Sequence, residues 1–368
     1  MHGLDGLSAA TKVPRCGPLE VLADILRPVL AAPPCYIAFS GGRDSSAVLA
    51  VATSVARREG LDDPLPVTQL YPGLPETDES EWQEAVVRHL QLKDWARLVV
   101  GEENDLLGEP VRASLRERGL LWPPAVHTKV NLLEALSPGY LLTGEGGDEV
   151  FGARRPAPWS HLKKGTSVPR GRAVGPALRS ALPGVCRYRL ALSKWRDADL
   201  QPWLRPAVAE EHIRMLAADE VSEPWRWDRA LLWLTRRRSA GVLAHNYGLL
   251  AAEHGISLRI PLLEPAFLAS LGRLGGPVGF PGRTAAMAAV FAPLLPRAVI
   301  ERKGKAQFNR AFMGRATHEF ARDWDGSGVD ANMVDPRRLR QEWLSDSPSA
   351  LSSLLLHAAW VNSDSEGP

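Results

Sequence analysis

The stretch that most limits the fold is "CYIAFSGGRDSSAVLAVA", Cys35 to Ala52. An apolar run ends on Ser40, Gly41 and Gly42. Asp44 follows, and an alanine-rich segment opens with Ser45 and Ser46. An apolar run meeting two glycines and then a helical pattern reads as strand, tight turn and helix. The spacing predicts a strand over Tyr36–Phe39 and a helix from Ser45 to about Arg58. Glycines let the backbone approach a ligand, and a helix N-terminus offers free N–H groups and a positive dipole end. The unit is therefore suited to an anion. No lysine follows the glycines, as the G-x-x-x-x-G-K-[ST] phosphate loop would require. Asp44 would repel a bare phosphate. A Mg²⁺ ion between this carboxylate and a nucleotide removes the conflict and favours release of pyrophosphate as a unit. Read alone, the string is also compatible with a plain turn in which Asp44 is an N-cap.

Around this unit, strand and helix patterns alternate. Helical spacing of Leu19, Leu22, Ile25, Leu26 and Leu30 precedes it. "PVTQL" (66–70), "ARLVV" (96–100) and "GYLLTG" (139–144) read as further strands. Helices are expected after Thr77 or Asp78 as N-cap and over 125–137. This alternation predicts an α/β fold, a parallel sheet covered on both faces. After residue 155 strand signals become sparse and arginine and tryptophan more frequent. The expected organisation is a tail over 1–17, an α/β nucleotide-binding region over 18–155, a mainly helical substrate-side region over 156–345 and a C-terminal tail over 346–368, ending in a disordered "SDSEGP".

The second motif is "YLLTGEGGDEVFG", 140–152. Glu145, Asp148 and Glu149 crowd into a glycine-rich loop with Gly144, Gly146 and Gly147. Crowded carboxylates are costly without a cation. In a parallel sheet the ligand crevice lies at the C-terminal strand ends, so this loop and the first one can face one ligand. "SGGRDSS" resembles the pyrophosphate-binding loop of the N-type ATP pyrophosphatases (the PP-loop superfamily), whose layer is Rossmann-like. The second string resembles the "SGEGSDE-x-FGG" signature of the asparagine synthetase family, in its synthetase domain. The last glycine of that signature is replaced by Ala153. The resemblance covers roughly residues 18–320.

The resemblance implies ATP and Mg²⁺ as cofactors, with Asp44 and Asp148 sharing the metal. It implies nucleotide contacts from Ser40, Gly41, Gly42, Asp44, Ser45, Ser46, Gly144, Gly146 and Gly147. Glu145 matches the residue that helps deprotonate the incoming amine or ammonia. β-Lactam-forming relatives often carry Tyr there. "GISLRIPLLEPAFLASL" (255–271) is similar to the family's G-V-E-x-R-V-P-F-L-D stretch at Gly255, Arg259, Pro261 and Leu263, with Glu264 in place of the usual Asp. "ERKGKAQF" (301–308) resembles R-x-x-K-x-x-F through Arg302, Lys305 and Phe308. By that match Lys305 binds the nucleotide and is catalytic, with Lys303 as its competitor.

Asparagine synthetase begins with a glutaminase domain whose nucleophile is an N-terminal cysteine. Here His2 follows Met1, and the nucleotide motif begins at Ser40. The chain is therefore expected to make no ammonia from glutamine: either a partner supplies it, or the nucleophile is a substrate amine. The second case is similar to the lactam-forming branch, the β-lactam synthetases and lasso-peptide cyclases. This implies a small-molecule or peptide carboxylate and amine as substrates, with a precursor peptide or pathway protein as partner. Two other readings stay open: a tRNA-modifying PP-loop enzyme, and a noncatalytic nucleotide-binding scaffold.

The totals narrow the class. A net charge of +2 over 368 residues argues against a dedicated nucleic-acid binder. Cys16, Cys35 and Cys186 are odd in number and widely spaced, which argues against a disulfide framework or a cysteine zinc site. His89, His127, His245, His254, His318 and His357 lack metal-ligand spacing. No apolar run reaches the length of a membrane span and no signal segment is evident, so a soluble cytoplasmic protein is expected. The stretch from Arg154 to Arg172, with Arg155, Lys163, Lys164 and Arg170, has no acid. It reads as a solvated loop, or alternatively as a lid or groove for an acidic peptide.

Overall fold

The structure, a computed structural model, describes residues 16–164, 170–304 and 306–365. Five parallel strands form one sheet in the order β3-β2-β1-β4-β5. They are β1 (Cys35–Ala38), β2 (Leu65–Leu70), β3 (Ala96–Val99), β4 (Gly139–Leu142) and β5 (Ile256–Arg259). β1 lies at the centre, with Ile37 beside Pro66 of β2 and Leu142 of β4. Successive side chains alternate between faces. Ile37 and Leu142 join one apolar cluster, while their neighbours Tyr36 and Leu141 join another. Burial of both faces is what a parallel sheet covered by helices requires.

The first cluster is built on α1 (Pro18–Leu30) and α2 (Arg43–Glu59). Every residue of α2 from Ser45 to Thr53 is buried, so this helix lies inside the protein, not along its surface. Its alanines and serines let neighbouring elements approach closely. α3 (Ser80–His89), α4 (Glu109–Arg118) and the one-turn helix α5 (Val130–Glu134) follow in the α/β layer. The stretch expected as one helix over 125–137 is a 3₁₀ segment, Pro124–Lys129, running into α5.

Two features of the second half refine the expected organisation. The sheet takes its edge strand β5 from within the region expected to be mainly helical, because Ile256 to Arg259 pair with Gly139 to Leu142. The region expected as a C-terminal tail carries a helix, Ser353–Ser365, with Leu356, His357, Ala359 and Trp360 buried against Leu106, Leu107 and Val111. Tryptophans Trp203, Trp324 and Trp343 complete that cluster. Of the basic stretch, Arg154 pairs with Glu223 at 2.7 Å and Arg155 donates to the Ser180 carbonyl. Both are tied into helix packing; the side chains of Lys163, Lys164, Arg170 and Arg172 lie outside the described residues. The three cysteines are unbridged. No described helix is long and apolar enough to cross a membrane.

The C-terminal helix is held by a buried histidine pair. His127 and His357 are fully buried with ring centroids 5.3 Å apart. His127 Nδ1 lies 2.8 Å from Ser114 Oγ, and His357 Nε2 lies 2.9 Å from the Leu106 carbonyl. Burial pushes His127 down to about 4 and His357 down to about 3. Both pKa values are depressed below that of the unfolded chain, near 6.5. Their neutral packing therefore contributes fully above pH 6.5 and is lost as the pH falls towards 4 and then 3. The loss is about 1.4 kcal/mol per pH unit for each ring. Replacing His357 by Gln should make the decline of unfolding free energy between pH 6.5 and 4.5 shallower by about that amount. Parallel slopes for the two proteins in chemical denaturation would show that these rings do not set the acid limit.

Candidate active site

The sheet order reverses direction between β1 and β4, since β2 and β3 extend one way and β5 the other. Such a switch point leaves a crevice at the C-terminal strand ends. The loop after β1 carries Ser40 to Gly42, and the loop after β4 carries Thr143 to Gly147. Both line one cavity of about 480 Å³.

In the first loop Gly41 has φ +81°, and a Cβ there would sit 2.7 Å from Gln83 Cγ, so only glycine fits without displacement. The Ser40 carbonyl accepts from Gln83 Nε2 at 3.1 Å, and the Gly41 carbonyl accepts from Arg302 Nη1 at 2.8 Å. Gly42 is the extended N-cap and α2 begins at Arg43, two residues before the sequence-based expectation. Asp44 is therefore in the first turn, where the dipole favours a carboxylate, and is not the cap. Ser45 Oγ lies 3.2 Å from Ser40 Oγ and 3.3 Å from the Ser40 amide nitrogen, closing the loop on itself. Ser46 Oγ donates to the Gly42 carbonyl at 2.7 Å.

The second loop interlocks with the first. A Cβ on Gly144 would come 2.6 Å from the Ser45 amide nitrogen, and one on Gly147 would come 2.2 Å from Asp44 Cγ. Glycine at both positions lets the acidic loop lie directly against α2. α6 (Gly147–Phe151) then carries Asp148 beside Asp44. The "GISLRIPLLEP" stretch supports this loop from behind: the Arg259 carbonyl accepts from the Thr143 amide at 3.2 Å, and Leu263 packs on Gly146.

Among the nucleotide-site residues expected from the sequence, Ser40, Gly42, Asp44, Ser45, Gly144, Glu145, Gly146, Gly147 and Asp148 line the cavity. Gly41 and Ser46 are behind its wall, the latter fully buried within α2. Lys305 lies outside the described residues. Its sequence neighbours Gly304 and Ala306 line the cavity, whereas Lys303 is exposed and forms no part of the wall.

Three arginines also reach the cavity: Arg43, Arg283 and Arg302. Arg283 Nη2 pairs with Asp44 Oδ2 at 2.5 Å, and its Nη1 pairs with Asp148 Oδ1. Burial disfavours the Arg283 charge, but Asp44 and Asp148 outweigh it and hold its pKa above the usual arginine value. Burial raises the Asp44 carboxyl, and Arg283 only partly reverses this. Burial and the neighbouring Arg283 charge lower Arg43. Arg302 forms a buried two-point pair with Glu79, at 2.5 Å from each nitrogen, and Glu79 Oε1 also accepts from the Ala306 amide at 2.9 Å. One carboxylate thus fastens residues on both sides of Lys305 to the first loop.

Glu145 also lines the cavity, as does Tyr247, a buried phenol whose pKa is raised by burial and by the Glu145 charge. Lys129 sits 5.8 Å from the Tyr247 ring centroid and also lines the wall. Phe39, Val67, Tyr71 and Phe308 add apolar and aromatic surface to the same wall.

Among the described residues no group of three or more His, Cys, Asp or Glu side chains could hold an ion by itself. Asp44 Oδ1, however, is buried without a hydrogen-bond partner, and Asp148 is beside it. Two carboxylates with one orphaned oxygen fit Mg²⁺, which usually takes one or two protein carboxylates and completes its shell with waters and phosphate oxygens.

The family model for asparagine synthase matches residues 20–362, nearly the whole chain. The chain belongs to the asparagine synthase family. Family membership makes it a ligase that uses ATP to form amide bonds. No curated protein matches the chain. Sequence reasoning missed Glu79, Tyr247 and Arg283 in the wall of this cavity. Arg283 alone carried a signal, a cation opening a helix after "FPG", where the dipole disfavours positive charge.

Proposed function

We propose that the chain is an AMP-forming synthetase that adenylates a substrate carboxylate and passes the acyl group to an amine. The supporting observation is that the two loops meet at the switch point and line one cavity, with Glu145 in its wall. ATP enters with its base among Phe39, Val67, Tyr71 and Phe308 and its phosphates over Ser40 to Ser45 and the start of α2. Asp44 and Asp148 would hold Mg²⁺, which when bound would supply neutralisation of the charge on the departing pyrophosphate. The substrate carboxylate oxygen attacks the α-phosphorus, and the bond to the β-phosphate oxygen breaks with release of pyrophosphate. The amine nitrogen then attacks the acyl carbon, Glu145 takes its proton, and AMP leaves. Lys305 steadies the negative charge that builds in both steps.

The resemblance to the lactam-forming branch favours a peptide or small natural product carrying both acid and amine. The test is acid-dependent exchange of labelled pyrophosphate into ATP across a panel of peptide and small carboxylic acids. Exchange with at least one acid is expected. ATP binding without any exchange would identify a scaffold, and a salt-sensitive shift of tRNA would favour the RNA-modifying reading.

A further inference from the structure

The geometry points to Arg283 as an internal cation that occupies the metal position and is exchanged onto the pyrophosphate when metal and nucleotide arrive. The inference rests on the nucleotide-site reading above. Its guanidinium lies between Asp44 and Asp148, the same two carboxylates that suit the divalent ion. One gap cannot hold both a guanidinium and Mg²⁺. Arg283 bridges the two carboxylates, while Arg43 stands near enough to act on both and to repel Arg283, so a divalent ion entering the gap competes directly with the Arg283 guanidinium.

Arg283 is also placed against local preference. It is the first residue of the helix Arg283–Phe291, after an extended Gly282, and a cation there opposes the helix dipole. Its side chain is 18% exposed and its Nε is buried without a partner. Local rules broken at a buried site mark function more often than accident. Once the carboxylates take the metal, the freed guanidinium remains in the same cavity as the glycine loop. There its planar fork matches phosphate oxygens. Arg43, whose Nη1 lies 3.4 Å from Thr284 Oγ1, borders the same position and repels it. A new anion between them relieves that repulsion.

The arrangement couples the two ligands. Metal alone must displace Arg283 without giving it a new partner, whereas metal with pyrophosphate supplies one. Mn²⁺ binding followed by electron paramagnetic resonance, with and without inorganic pyrophosphate, reads this directly in the full chain. In the wild type, pyrophosphate should tighten Mn²⁺ binding about tenfold or more. Arg283→Gln should bind Mn²⁺ alone about tenfold more tightly, bind pyrophosphate more weakly, and lose most of the coupling. Arg283→Lys keeps a cation that cannot bridge both carboxylates. It should retain much of the pyrophosphate affinity while resisting metal less, which guards against a folding defect in the Gln variant. If Arg283→Gln matches the wild type in both affinities, or binds Mn²⁺ alone more weakly, the proposal is wrong. A wild type that binds neither metal nor pyrophosphate overturns the nucleotide-site reading along with it.

Discussion

Asp44→Asn and Asp148→Asn should each lower acid-dependent pyrophosphate exchange by roughly 10²–10³ or more, the cost of about 3–4 kcal/mol for losing one charge aimed at a transition state. The substitutions are nearly isosteric. Asp148 is half-exposed and Arg283 keeps one carboxylate in either variant, so both proteins should melt close to the wild type. The defect should lie in Mg²⁺ dependence, with the residual rate insensitive to moderate added metal. Normal exchange in both variants would remove these two residues from the metal site.

Lys305→Ala should bind ATP with similar affinity but turn over roughly 10²–10³ more slowly, whereas Lys303→Ala should be mild. Lys303 is exposed and outside the cavity wall, and only Lys305 keeps the spacing to Phe308. The loop carrying Lys305 depends on Glu79, which holds Arg302 on one side and the Ala306 amide on the other. Glu79→Gln leaves the buried Arg302 charge uncompensated, at a cost of about 3–5 kcal/mol in stability. The double variant Glu79→Leu, Arg302→Met should recover much of that stability, because apolar replacements of a buried pair are often neutral. Its turnover should stay low, since Gly41 and Ala306 lose their anchor. Full activity in a stable double variant would show that the clamp serves folding alone. If the two lysine variants exchange phenotypes, the register of this loop is wrong.

The local code of the candidate site was legible because each unit is written in contiguous residues. Glycines 41 and 42 sit between an apolar run and a helix, and "GEGGDE" follows another run, so strand, turn and acidic loop could be read from short-range chemistry. Boundaries shifted where a neighbour decided them. α2 begins at Arg43 because Gly42 can take the extended cap. β5 is four residues long and is a strand because Gly139 to Leu142 offer a free ladder; its own pattern is too short to declare it. The C-terminal helix Ser353–Ser365 is held by tertiary burial of His357 and Trp360 against residues some 250 positions earlier in the chain.

By itself the sequence determined the parallel α/β class and the two glycine-rich loops, because backbone conformation and charge at a turn are local properties. Only the tertiary structure decided which charges meet. Arg283 reaches Asp44 across 239 positions, and Glu79 reaches Arg302 across 223. No periodicity encodes such pairs. They arise when the strand order reverses between β1 and β4 and chain segments far apart in sequence converge on one crevice. There a buried charge is tolerable only beside its opposite.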